Sequence, residues 1–275
     1  MYKGLSVLPV SFFKDIESGK ISITDWASMA KSIGISYIDI PYWAIRNHNP
    51  IYLCRLMKEL ELLGVSLGMI GTYSDFTNPD FMQRERELEY LKYDIALASQ
   101  LGAGYLRITD GQKHPGVQKE QGIEWILEYF EKAEKAAEYF GLQLAFENHG
   151  HPGSWIFDDF SHSVDVFLEI AERIKGSRIG INFDNANATG CGVDAVTLLD
   201  KIYEQVVSVH LSDTSSNSTT VHTAVGSGVS PLMEVIAYLK KRDYRGWCSI
   251  EEDSGNGMDG IYQSVSCITQ MWNMA

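Results

Sequence analysis

Four short apolar runs in the second half of the chain obey one parity rule, and that rule constrains the fold more than any other feature. Side chains alternate between two faces along a strand. Read in this way, Leu142, Leu144 and Phe146 fall on one face, and Gln143, Ala145 and Glu147 on the other. Ile179, Ile181 and Phe183 alternate with Gly180, Asn182 and Asp184; Val207, Val209 and Leu211 alternate with Ser208, His210 and Ser212. Cys248 and Ile250 alternate with Trp247, Ser249 and Glu251. In each run an ionisable residue lies on the less apolar face, at or near the carboxyl end. A buried carboxylate without a partner is expensive, so four such ends predict convergence on one site.

The rest of the chain supplies matching units. Strands are expected at 4–10, 37–40, 65–70 and 105–109, ahead of the four already described. Helices are expected at 25–33 (with Thr24 as N-cap), 50–63, 84–101, 123–140, 163–174, 193–203, 231–240 and 259–274. Pro50 opens the second of these and Gly64 closes it, the asymmetry that helices prefer. Eight strand–helix alternations, with no linker or low-complexity segment, predict an α/β fold. The expectation is a single (β/α)8 TIM barrel over residues 1–275, with the site at the C-terminal ends of the strands. An open doubly wound sheet fits less well, because no G-x-G-x-x-G turn follows the first strand.

Charge narrows the function. The formal net charge of −13 argues against a nucleic-acid partner, which needs a basic stripe. No basic-then-apolar leader and no run long enough to cross a bilayer stands in the sequence, so no membrane partner and a cytoplasmic location are expected. Cys54, Cys191, Cys248 and Cys267 form no C-x-x-C pair and are expected as reduced thiols packed like small hydrophobes. The three carboxylates and one imidazole make a mostly hard ligand set. It suits a divalent metal, Mn²⁺ first, with Mg²⁺, Co²⁺ or Zn²⁺ as other occupants.

Longer motifs carry a resemblance. The segments 145–149 (Ala-Phe-Glu-Asn-His), 182–184 (Asn-Phe-Asp), 208–213 (Ser-Val-His-Leu-Ser-Asp), 225–229 (Val-Gly-Ser-Gly-Val) and 249–251 (Ser-Ile-Glu) resemble the xylose isomerase-like barrel superfamily of sugar isomerases and epimerases. The likeness covers essentially the whole chain, including 244–247 (Tyr-Arg-Gly-Trp). It implies Glu147, Asp184, His210 and Glu251 as metal ligands, with Glu251 rather than the adjacent Glu252. In the ketose epimerases of that superfamily the two glutamate ligands also act as acid and base on opposite faces of the substrate, which makes Glu147 and Glu251 the expected catalytic pair.

The chain departs from that pattern at two places. Asn187 stands where the epimerases commonly carry His, and His222 where they tend to carry Arg. His149 and His151 instead enrich the loop after the fifth strand. His149 is a candidate acid or base, since an ordinary imidazole titrates near ~6.5. Asn187, His222, Arg107 and Trp155 are candidate substrate contacts; Arg107 has the parity to enter the barrel and to hold a substrate oxygen or pair with a ligand carboxylate. Asp213 either orients a ligand or holds a loop.

The leading expectation is a metal-dependent isomerase or epimerase of a ketose or related keto-sugar, acting by proton abstraction beside a polarised carbonyl. The alternative is a lyase or dehydratase on a keto-sugar, resembling inosose dehydratase or enzymes that cleave 3-oxo-glycosides and C-glycosides, with His149 as acid or base. The Gly226-Ser227-Gly228 turn lacks a nearby Lys, which favours a substrate without phosphate. The partner is a small sugar or keto-sugar, and a homo- or hetero-oligomer is allowed. Abasic-site DNA cleavage, a chemistry of related barrels, fits poorly with one strand-end His and a strongly negative charge.

Overall fold

The computed structural model describes residues 3–150, 153 and 155–275; His151 lies outside the described residues. Eight parallel strands close into a barrel in the order β1 to β8. They are β1 (Gly4–Leu8), β2 (Tyr37–Pro41), β3 (Ser66–Gly71), β4 (Tyr105–Ile108), β5 (Leu144–Glu147), β6 (Ile179–Asp184), β7 (Val206–Leu211) and β8 (Trp247–Glu251). The helices are α1 (Phe13–Ser18), α2 (Ile23–Ser32), α3 (Pro50–Leu63), α4 (Phe81–Gln100), α5 (Lys119–Phe140), α6 (Val164–Arg173), α7 (Asn185–Gly190), α8 (Ala195–Ile202), α9 (Leu232–Lys241) and α10 (Gly257–Met274). No helix among the described residues is long and apolar enough to cross a membrane.

Parity sorts the core into two layers. Leu144, Phe146, Ile179, Ile181, Phe183, Val209, Leu211, Cys248 and Ile250 face outward into the large apolar layer beneath the helices. The opposite faces fill the barrel with a smaller cluster of Leu8, Met69, Tyr105, Ala145 and Trp247 and with polar groups. Buried Asp39 accepts hydrogen bonds there from the Ser6 and Ser249 hydroxyls and from the Met69 amide. Every sequence-derived strand is present, but three local expectations need correction. Ser22, not Thr24, caps α2: Ser22 and Asp25 bond to each other's backbone in a reciprocal capping box. Helices α1 and α7 were not foreseen, since six residues are too few to show a 3.6-residue period. Cys54 is exposed rather than packed inside, while all four cysteines are free thiols.

One carboxylate outside the barrel sets a pH effect on stability. Burial first, and the charge of Glu87 second, push Asp94 on α4 up to about 7, from 3.8 for an ordinary aspartate. Between these values the folded chain keeps a proton that the unfolded chain has lost, so this group's contribution to stability falls as pH rises through that window. Asp94→Asn is expected to raise the melting temperature at pH 8 and to leave it unchanged at pH 4, which thermal melts at the two pH values check.

Candidate active site

The barrel register assembles the site. Glu147 on β5 pairs with Asn182 on β6, Asp184 on β6 with His210 on β7, and His210 with Ser249 on β8. Inward parity then turns the four strand-end groups toward one point. His210 Nδ1 lies 2.8 Å from Glu147 Oε1, 3.0 Å from Glu251 Oε2 and 3.7 Å from Asp184 Oδ2. One donor atom from each of the four lies within 4.8 Å of the others.

Neighbouring groups hold these donors still. Glu147 accepts a bond from Asn182 Nδ2 at 2.8 Å on one oxygen and faces Arg107 Nε at 3.1 Å with the other. Ser212 Oγ donates to Asp184 at 2.8 Å. Asp184 also caps α7 by accepting the Asn187 amide at 2.7 Å, so the helix missed in the sequence fixes the orientation of a site carboxylate. Asn148 ties β5 to β6 through both ends of its amide: its side chain donates to the Asp184 carbonyl and accepts the Asp184 N–H, each at 2.8 Å.

The electrostatics ask for a cation. Three carboxylates meet one guanidinium in a nearly dry site, which leaves two negative charges when the imidazole is neutral. Burial, and then the charges of Glu251 and Glu147, push Asp184 up to about 7. Burial alone would depress His210, but Glu147 and Glu251 overcome it and raise the imidazole well above its ordinary value. Burial likewise opposes ionisation of Glu251, yet His210 outweighs it and holds that carboxyl at about 2. The positive charge that stabilises this cluster stands at His210 Nδ1, among the carboxylate oxygens where a cation would sit. Oxygen-rich donors with one nitrogen fit a divalent metal. The residues present therefore fit such an ion.

A cleft of about 710 Å³ opens beside the cluster. Glu251, His149, Asn187 and His222 line it with Leu8, Val10, Phe13, Trp43 and Tyr73. Of the four candidate ligands, Glu251 lines the cleft, its side chain 17% exposed, whereas Glu147 and His210 are sealed beneath.

The fold and this geometry bear on the family. A family model described as the xylose isomerase-like TIM barrel matches residues 27–271. The chain belongs to the xylose isomerase-like TIM-barrel family. It is 25% identical over 228 residues to the rhizopine catabolism protein MocC of Rhizobium meliloti, covering 72% of this chain and 66% of that protein, just under two thirds of its length. It is 23% identical over 230 residues to fructoselysine 3-epimerase of Escherichia coli O157:H7, covering 79% of this chain and 81% of that one. Among solved structures, the IOLI protein with a zinc atom superposes with a TM-score of 0.81 at 14% identity, over 98% of both chains; at that identity the likeness is one of fold.

In this xylose isomerase-like barrel the other sequence-derived candidates take distinct places. His149, Asn187 and His222 reach the cleft. Arg107 does not line it: its guanidinium lies under the Tyr73 ring at 4.4 Å, donates to the Thr72 carbonyl and faces Glu147. The structure thus puts Arg107 on the carboxylate of a candidate ligand, the second of its two expected places. Trp155 meets the ring of Tyr73 edge-on at 6.4 Å, behind the cleft wall. Asp213 accepts the amides of Thr214, Gly226, Gly228 and Ser230, which makes it the anchor of the loop after β7. Asn182 and Ser212 share strand parity with the candidate ligands, so that signal could have marked their supporting roles. Asp159, described below, had no such signal.

Proposed function

We propose that the protein is a divalent-metal-dependent isomerase or epimerase of a ketose or related keto-sugar. The observation that carries this reading is the pair of glutamates, from β5 and β8, that meet at one imidazole with a third carboxylate beside them. Glu147, Asp184, His210 and Glu251 would hold a divalent cation, which would supply polarisation of a substrate carbonyl and so acidify the neighbouring C–H. Mn²⁺ is the first choice for this donor set, with Mg²⁺, Co²⁺ and Zn²⁺ as alternatives; the zinc carried by a protein of the same fold keeps the last in play.

Glu251, open to the cleft, takes the proton from the carbon beside the carbonyl, and the electron pair of that C–H bond moves toward the carbonyl oxygen. Glu147, entering this direction of the reaction in its acid form, gives its proton to the opposite face of that carbon and inverts it, and proton exchange with solvent then resets the two carboxyls. Arg107 and Asn182 keep the Glu147 carboxylate aimed during this exchange, and Asn187 and His222, which line the cleft, are assigned to substrate contact, whereas Trp155 only backs Tyr73. The Gly226 and Gly228 amides already donate to Asp213, so this turn offers no phosphate cradle and a substrate without phosphate is favoured. The match to fructoselysine 3-epimerase supports the same chemistry.

A second reading keeps the carbanion and changes its fate. His149 stands on the cleft wall, and Phe13, Trp43 and Tyr73 make an aromatic rim around more space than proton transfer alone requires. In a dehydratase or lyase, His149 would first take up a proton at its free ring nitrogen and then hand it to the group leaving from the carbon beta to the carbonyl, whose departure the carbanion's electron pair drives. Products from a panel of ketoses, inososes and 3-oxo-glycosides, incubated with Mn²⁺-loaded protein and read by mass and NMR, separate the two. A product of unchanged mass with one inverted or relocated centre is expected. Loss of water or of an aglycone moves the assignment to elimination.

A further inference from the structure

Behind His149 lies a pair of buried carboxyl groups that the proton transfer above does not use. Asp159 and Asp110 are both sealed from solvent. Asp159 Oδ1 accepts bonds from the Ser161 amide and hydroxyl at 3.3 and 3.2 Å. Among the described residues its Oδ2 has no hydrogen-bond partner; it lies 3.6 Å from His149 Nδ1, a buried atom that likewise has none among them. Both carboxyl oxygens of Asp110 are likewise without hydrogen-bond partners among the described residues. Buried polar groups are rarely left unsatisfied, so three such groups together mark a built network.

The loop geometry shows that this approach is built in. The Asp159 amide donates to the Gly150 carbonyl at 2.8 Å, closing the loop after β5 on itself. Gln112 Oε1 accepts the amides of Ile156 and Phe157, and the Phe160 amide donates to the Gly111 carbonyl. These clasps carry Asp159 back beneath His149 and do not depend on the Asp159 side chain. The ring of Tyr73 meets His149 edge-on at 5.9 Å and confines it from another side.

We infer that Asp159, backed by Asp110, is the positioning residue of His149: its Oδ2 accepts the Nδ1–H and leaves Nε2, unprotonated, toward the cleft. Two adjacent buried carboxyls cannot both ionise cheaply and share one proton. Burial first, and then the neighbouring Asp110, raise Asp159 well above the ordinary range. Ser161 engages Oδ1, so Oδ2 is the oxygen free to accept from the facing His149 Nδ1. The gap of 3.6 Å closes by a small approach or through one water, as polar contacts in ligand-free sites often do. Fixing the tautomer decides which ring nitrogen meets substrate, the service that a carboxylate gives an imidazole in other buried pairs.

This inference rests on the assignment of His149 to the reaction, so its test reads the ring directly. Long-range ¹⁵N–¹H NMR of histidine-labelled, Mg²⁺-loaded full-length protein, with His149 assigned by His149→Gln, reports the tautomer without any substrate. The Nδ1–H form is expected in the wild type, and a shift toward Nε2–H in Asp159→Asn, whose amide can donate to Nδ1. A wild-type ring in the Nε2–H form overturns the inference and needs no variant to fold; an unchanged tautomer in a folded Asp159→Asn overturns it too. On any substrate turned over in the panel, Asp159→Asn is expected to lower kcat about 100-fold with little change in KM. A correct tautomer with no turnover of any panel member would leave the positioning intact and remove the functional reading instead.

Discussion

Glu251→Gln and Glu147→Gln are each expected to lower turnover by about 10³-fold or more, because in the proposed reaction each removes a proton-transfer group and a charged metal ligand at once. Their effects on stability should differ. Glu251 is partly open, and its close contact, His210, is also held by Glu147 at 2.8 Å, so its amide costs less in folding than that of Glu147. Glu147 is sealed and carries the charge that faces Arg107 Nε at 3.1 Å. Removing that charge strands a buried guanidinium, a loss of about 3–5 kcal/mol and on the order of 10 °C in melting temperature. Equal melting temperatures for the two variants would contradict the role given to Arg107. Near-normal turnover in either would remove that glutamate from the chemistry.

The second large effect concerns the ion. Protein stripped by chelator should regain both activity and thermal stability on adding Mn²⁺. Binding to the folded state alone stabilises it by about 2.7 kcal/mol at a concentration 100 times the dissociation constant. Asp184→Asn should abolish that shift without lowering the stability of the stripped protein. The substitution removes one of three crowded carboxylates, and Asn still caps α7. The sign separates this account from a purely structural Asp184, whose loss would destabilise the chain with or without metal. Melting curves of both proteins, with chelator and with Mn²⁺, decide the matter.

What the sequence disclosed follows from what is local. Strand parity is a property of the backbone, so Glu147, Asp184, His210 and Glu251 could be placed on one barrel face before any contact was known. Glycine and proline punctuation, as at Pro50 and Gly64, sufficed to count eight units. What stayed hidden depends on tertiary closure. Arg107 has inward parity, but only the packing of Tyr73 over its guanidinium shows that it serves Glu147 rather than the open cleft. Asp159 sits in a loop with no periodicity, and only the clasp between its amide and Gly150 reveals that it returns beneath His149. Helix α7 escaped because its signal is a single cap, Asp184, ahead of six small or polar residues.

The most direct test of the account is deuterium wash-in. Mn²⁺-loaded protein is incubated in D₂O with the ketose, inosose and 3-oxo-glycoside panel, with and without EDTA, and substrate and product are read by NMR and mass. Deuterium entering a carbon beside the carbonyl, lost on chelation and in Glu251→Gln, is the predicted result. Turnover without such exchange, or exchange that survives metal removal, would contradict it.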